Sequence, residues 1–150
     1  MLKNKIRTPI TFEFLPTDPV NKTLTKILEK IKTFPIVLKP YEGAGSIGVQ
    51  IINNKKDLSI ALNECLKLQK DKPTMSNKFL AQEYIDGEEG FLDFYSFNGK
   101  HLLTDSWMYK KRLVNGHSLD FECLLTMKMS PTLNNAMCYC KKVLDAIGYK

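Results

Sequence analysis

No run of apolar residues in this chain is long enough to span a membrane, and no apolar signal-peptide core follows Met1. Cysteine is sparse: Cys65, Cys123, Cys138 and Cys140 include no Cys-x-x-Cys pair. On a helix Cys138 and Cys140 would point to different faces, and the two histidines, His101 and His117, are not spaced to join them as ligands. These absences argue against a zinc site. Free thiols in a reducing compartment follow, and the expected location is the cytoplasm. There is no internal repeat and no low-complexity segment.

What is present is ordinary for a globular chain: 43% hydrophobic and 25% charged residues over 150 positions. That length suits one domain or two small lobes, and a chain of this size buries roughly 70% of its unfolded surface without a staple. The net charge of +6 favours anionic partners. The lysines are scattered, however, and the one tight basic run is Lys110-Lys111-Arg112. Such scatter reads as a solvated surface, so neither nucleic acid nor a membrane is an expected partner.

Along the chain, Thr8 to Phe14 (TPITFEF) is rich in β-branched and aromatic residues and predicts a strand. Asp18 is placed to cap a helix whose first residue is Pro19, with Val20, Leu24, Ile27, Leu28 and Ile31 forming its apolar face. FPIVLKP and VQII are short strands on either side of a glycine-rich stretch. KKDLSIALNECLKLQ predicts a second helix with a stripe of Leu58, Ala61, Leu62, Cys65 and Leu66. DKPTMSN, residues 71–77, is the expected joint between two lobes, 1–76 and 77–150. The second half is mostly strand. Asn98-Gly99 signals a hairpin and Asn115-Gly116 another reversal. Pro131 opens a last helix with Leu133, Met137, Cys140, Leu144 and Ile147 on its apolar side, ended by Gly148.

The glycine stretch KPYEGAGSIG contains Gly43, Gly45 and Gly48 at G-x-G-x-x-G spacing. A Rossmann turn requires a helix after the last glycine, because the helix N-terminus receives the pyrophosphate. Here Val49, Gln50, Ile51 and Ile52 are strand formers. A Walker loop fails too, since its lysine follows the glycines whereas Lys39 precedes them. The order is strand, lysine, glycine turn, strand. Glycines still let backbone N–H groups converge on phosphate oxygens, Ser46 adds a hydroxyl, and a loop between strands can close as a flap. On this local pattern alone, a hairpin that binds nothing stands beside a phosphate loop.

A second constellation lies in FLAQEYIDGEEGFLDFYSFNGK. An exposed strand ending in Gln82-Glu83-Tyr84-Ile85 offers backbone groups to the edge of an adenine, and the Gln82 amide suits its exocyclic amine. Glu88 and Glu89 follow the turn at Gly87, where a carboxylate can accept from ribose hydroxyls.

Taken in order, FPIVLKP, GAGSIGV, DLSIALNECL, FLAQEYIDGEEGFLD and NGKHLLTDSWMYKK resemble the ATP-grasp superfamily, in particular its carboxylate–amine ligases. The resemblance runs from about Phe34 to Lys111 and more loosely through the last helix. It implies an α+β fold of two small lobes with antiparallel sheets, incomplete at both ends. It also implies residue roles. Lys39 would contact the α/β-phosphates and the adenine side. Gly43, Ala44, Gly45, Ser46 and Gly48 would form the phosphate flap. Gln82, Glu83, Tyr84 and Ile85 would be the adenine-contacting hinge segment, and Glu89 would hold the ribose. Lys110 or Lys111 would lie near the γ-phosphate, with Arg112 meeting a substrate carboxylate; a solvated basic hairpin is the competing reading of that run.

The implied reaction is ATP-dependent: a carboxylate becomes an acyl phosphate, and an amine then displaces phosphate. Its partners would be ATP, Mg²⁺ and small carboxylate and amine substrates. The family's metal-binding carboxylates belong to strands beyond the last helix, so they are expected past residue 150. The expectation is therefore a piece of a ligase, inactive by itself. Glu122 and Asp120 as a substitute metal site, and a non-catalytic nucleotide-binding or interaction module of the same fold, are the alternatives. The apolar edges of a partial domain also leave room for a dimer.

Overall fold

A computed structural model gives the fold, and it describes residues 6–71, 77–114, 118–126 and 128–149, the side chains of 113–124 excepted. The expected joint within 71–77, the Asn115-Gly116 reversal and the side chains of Asp120 and Glu122 thus lie wholly or largely outside the described residues. In chain order the elements are β1 (Thr11–Phe14), α1 (Val20–Lys30), β2 (Ile36–Pro40), β3 (Gln50–Ile52), α2 (Lys55–Asp71), β4 (Phe79–Glu83), β5 (Gly90–Phe97), β6 (Lys100–Val114), β7 (Ser118–Thr126) and α3 (Pro131–Ala146). Contacts divide the chain into two compact units. One comprises Pro9–Asp86 with Arg112–Asp120, and the other Met1–Thr8, Gly87–Lys111 and Phe121–Lys150.

In the first unit β1, β4, β2 and β3 lie side by side, all antiparallel, with Ser118 of β7 opposite Gln50 of β3. Because β4 pairs with both β1 and β2, it groups with the strands before it, and the unit runs to Asp86 rather than stopping at residue 76. Period-2 alternation decides which side chains are buried. Ile36, Leu38, Phe79 and Ala81 are at most 1% exposed, while Val37, Lys39, Leu80 and Gln82 are half-buried on the opposite face. The buried set joins Leu24, Ile27 and Ile31 of the α1 region and Leu58, Ala61, Leu62 and Cys65 of α2 in one core. The apolar stripes expected of both helices are therefore the faces that pack, with Leu66 half-buried at the margin.

Local chemistry explains the helix ends. The Asn54 carbonyl of α2's preceding turn accepts from Leu58 N–H, and Asn54 Oδ1 accepts from Asp57 N–H at 3.0 Å. Asp18 does not cap α1: the cap is Pro19, and Asp18 Oδ2 instead accepts from Leu15 N–H at 2.9 Å, closing the turn before the helix. The first strand begins at Thr11, three residues later than expected, and its ladder with β4 runs from Thr11 opposite Gln82 to Phe14 opposite Phe79.

In the second unit β5 and β6 form a hairpin through Asn98 (φ 49°) and Gly99 (φ 73°), the left-handed pair that an Asn-Gly turn supplies. A bulge at Asp93/Phe94 shifts the register partway along. Ser130 Oγ accepts from Leu133 N–H to cap α3, with Pro131 at its start. At the other end Gly148 N–H donates to the Asp145 carbonyl and Tyr149 N–H to that of Leu144, a Schellman pair made possible by φ 70° at Gly148. Of the expected apolar side, Leu133 is buried whereas Ile147 is 57% exposed, because the helix ends there. His101, with 3% of its side chain exposed, ties the hairpin to α3: Nδ1 lies 2.7 Å from Ser96 Oγ and Nε2 3.2 Å from Asp145 Oδ1.

Two predictions test this packing. Ile27→Ala should lower the unfolding free energy by about 2–5 kcal/mol in a urea titration, against about 0.5 kcal/mol for the exposed Ile10→Ala. Burial, with Glu64 alongside, pushes the Cys65 thiol up from 9.0 to about 12. The unfolded thiol releases its proton first, so this contribution is complete below pH 9 and declines toward about 12. Thermal melts across that window should fall more steeply for the parent protein than for Cys65→Ala.

Candidate functional site

Lys39 is the fourth residue of β2, opposite Leu80 of β4, and Gln82 is opposite Val37. By strand parity Lys39 and Gln82 share the sheet face away from α1 and α2, so the register unites two residues 43 positions apart. Glu83, opposite Ile36, falls on the other face.

The chain from β2 to β3 is a hairpin loop, with Ile36 opposite Ile52 and Leu38 opposite Gln50, and no helix springs from Gly48. Gly45 (φ 63°), Ser46 (φ 59°) and Gly48 (φ 75°) all have left-handed backbones. For Ser46 that conformation is uncommon and strained. Ile47 N–H donates to the Ala44 carbonyl and Val49 N–H to that of Ser46, which fold the loop over on itself. The loop encloses a pocket of about 170 Å³ lined by Lys39, Pro40, Tyr41, Gly43, Ala44, Ser46, Ile47 and Val49. That is below the ~300 Å³ at which sites for whole small molecules begin, so it suits phosphate groups rather than an entire nucleotide. A Cβ on Gly45 would meet nothing within 4 Å, whereas on Gly48 it would come within 2.8 Å of Leu68 Cδ2 and 3.0 Å of Pro40 Cγ. The loop is open at its tip and clamped at its root.

The segment after Ala81 departs from expectation in one respect. β4 is central, not exposed, because β1 and β2 occupy its two edges. Glu83 N–H donates to the Ile10 carbonyl at 2.9 Å and Tyr84 N–H to that of Pro35 at 3.3 Å, so neither is left for a base. Gln82 Nε2 donates to Thr11 Oγ1 at 2.8 Å, which itself donates to the Pro9 carbonyl. The acceptor end of the amide, Oε1, is what that tether presents. Tyr84 and Ile85 lie past the strand at 38% and 56% exposure.

In the second unit Glu89 precedes β5. Its carbonyl accepts from Tyr109 N–H at 2.8 Å, and its Oε1 accepts from Lys111 Nζ at 2.7 Å. Lys111 also lies over the Tyr109 ring, 4.9 Å from its centroid, and that ring meets Phe91 at 5.5 Å. Tyr109 and Lys111 therefore share a face of β6, and alternation puts Lys110 and Arg112 on the other. The basic run is not gathered at one point. Beside Glu88 and Glu89 opens a cavity of about 360 Å³, lined chiefly by Phe91, Leu92, Met108, Ala136, Tyr139 and Cys140, whose thiol burial pushes up. No local pattern in the sequence announces it, since its walls come from two strands and a helix far apart in the chain.

Among the described residues no group of three His, Cys, Asp or Glu side chains is placed to hold a metal ion. Those residues do not by themselves fit Mg²⁺. No described helix is long and apolar enough to cross a membrane.

The ATP-grasp domain family matches residues 32–150 of this chain. The chain belongs to the ATP-grasp family. Dapdiamide A synthase of Enterobacter agglomerans is 36% identical over 86 residues, which make up 55% of this chain and 20% of that protein. The VanG D-Ala:D-Ser ligase of Enterococcus faecalis superposes with a TM-score of 0.71 at 13% identity, over 98% of this chain and 42% of that one. A biotin carboxylase domain of Hydrogenobacter thermophilus, in complex with MgADP and bicarbonate, gives 0.69 at 16% identity, over 99% and 32%. This ATP-grasp chain thus spans less than half the length of these relatives.

Gly48→Ala should destabilise the protein by about 1–3 kcal/mol, from left-handed backbone strain and the clash with Leu68 together. Gly45→Ala, with strain but no clash, should lose only about 1 kcal/mol, and urea unfolding of the two variants measures the difference.

Proposed function

We propose that this chain is the ATP-binding part of a ligase that activates a carboxylate as an acyl phosphate for attack by an amine. The observation that carries the reading is the β2–β3 loop of an ATP-grasp domain folded over a pocket that Lys39 lines. The ammonium and the amides of the glycine loop would take the phosphates, where charge develops as the γ-phosphoryl group leaves. Gln82 Oε1 would accept from the exocyclic amine of adenine. With the amides of Glu83 and Tyr84 engaged, a backbone donor for the base would come from the next residue, Ile85. Glu89 would accept from the ribose hydroxyls. Lys110, Lys111 and Arg112 add positive field that favours anionic reactants rather than a common contact point.

In the reaction a carboxylate oxygen attacks the γ-phosphorus, ADP leaves, and the amine nitrogen then attacks the acyl carbon. The C–O bond to phosphate breaks, and the nitrogen gives up a proton. The described residues contribute binding, orientation and exclusion of water in these steps. Mg²⁺, present as MgADP in the biotin carboxylase relative, would neutralise phosphate charge. The substrates would be small amino-acid-like carboxylates and amines, in line with the D-Ala:D-Ser ligase among the structural relatives. We place the protein in the cytoplasm, where ATP and free thiols coexist.

Lys39→Ala should weaken ATP binding roughly ten- to a hundredfold in a calorimetric titration, the range for a hydrogen bond to a charged group. Its circular dichroism should stay unchanged, because Lys39 lies on the sheet face away from α1 and α2 and outside the core cluster. An unaltered ATP affinity would overturn the assignment.

A further inference from the structure

The geometry points to Lys111 as the positioning residue of the ribose carboxylate, rather than as a phosphate ligand. The inference rests on the nucleotide reading above. Glu89 is held twice by the same stretch of β6: its carbonyl by Tyr109 N–H and its Oε1 by the Lys111 ammonium. The two ends of the ion pair are unequally exposed. The Lys111 side chain is 15% exposed and the Glu89 side chain 56%. The cation is therefore the inner, fixed partner and the carboxylate the outer, available one.

The fixing has a visible cause. Lys111 lies against the Tyr109 ring, and Tyr109 in turn packs on Phe91, so the ammonium sits on an aromatic floor built by both strands of the hairpin. A glutamate carboxylate has two oxygens and about four acceptor positions. With Oε1 tied to Lys111, rotation about the last side-chain bond is restricted, and Oε2 with the spare lone pairs can meet two vicinal hydroxyls at once. To reach a phosphate, Lys111 would have to leave both Glu89 and Tyr109. A pair whose carboxylate is this open to water adds little to stability, so orientation is the effect by which it acts.

The test separates sugar from phosphate recognition. The full chain is titrated with ATP, with 2′,3′-dideoxyATP, which lacks both hydroxyls, and with inorganic tripolyphosphate. The parent protein should prefer ATP over the dideoxy analogue by about tenfold, the scale of a hydrogen bond to a charged acceptor. In Lys111→Met that ratio should fall toward one while tripolyphosphate affinity stays within about twofold of the parent. Lys111→Arg, which keeps a cation on the Tyr109 ring, should restore the ratio. Glu89→Gln should abolish it equally, and the double variant should lose nothing further. A Lys111→Met protein that keeps the ratio but loses tripolyphosphate affinity makes Lys111 a phosphate ligand and overturns the inference alone. A parent protein that binds neither ATP nor tripolyphosphate removes the nucleotide reading itself, and the inference with it.

Discussion

The pairing of β2 with β4 is the constraint on which the rest of the first unit depends. Leu38 stands opposite Ala81 and Ile36 opposite Glu83, and the apolar partners are sealed beneath α1 and α2. Backbone groups at that depth need partners, and the ladder supplies them along both edges of β4. The same ladder sets parity. A slip of one residue would turn Lys39 into the core and Leu38 out to solvent, exchanging a favourable burial for a charge without a partner. The lysine thus reaches the face away from α1 and α2 because Leu38 and Ile36 must reach the other.

The loop that follows Lys39 combines two mechanical properties. At its root Gly48 fits between Pro40 and Leu68, where an added Cβ would force Leu68 to shift. At its tip Gly45 has open space, and Ser46 adopts a backbone conformation unusual for its type. A segment packed closely at one end and with open space beside Gly45 at the other can change shape without disturbing the core. Its pocket is small, about 170 Å³, and Lys39 lines it.

Electrostatic order in the second unit is local. Of three consecutive basic residues only Lys111 joins Glu89, because alternation along a strand sends neighbours to opposite faces. The polar link from Ser96 through His101 to Asp145 serves a different end, fastening the hairpin to α3 with a buried ring whose two nitrogens both find partners.

Periodicity and turn chemistry by themselves determined much of this protein. The two apolar stripes, the Asn98-Gly99 hairpin, the stop at Gly148, and a glycine turn followed by strand rather than helix are short-range matters, governed by steric and hydrophobic rules acting over a few residues. The ordered motifs identified the family for the same reason, since each is a local backbone requirement. Pairing over long range was not legible there. Whether β4 lay at an edge or in the centre, which lysine of the basic run met Glu89, where Asp18 spent its carboxylate, and the cavity beside Glu88 all depended on which strands became neighbours. Only the tertiary structure decided those points, because burial and register are set by the whole sheet and not by any one segment of it.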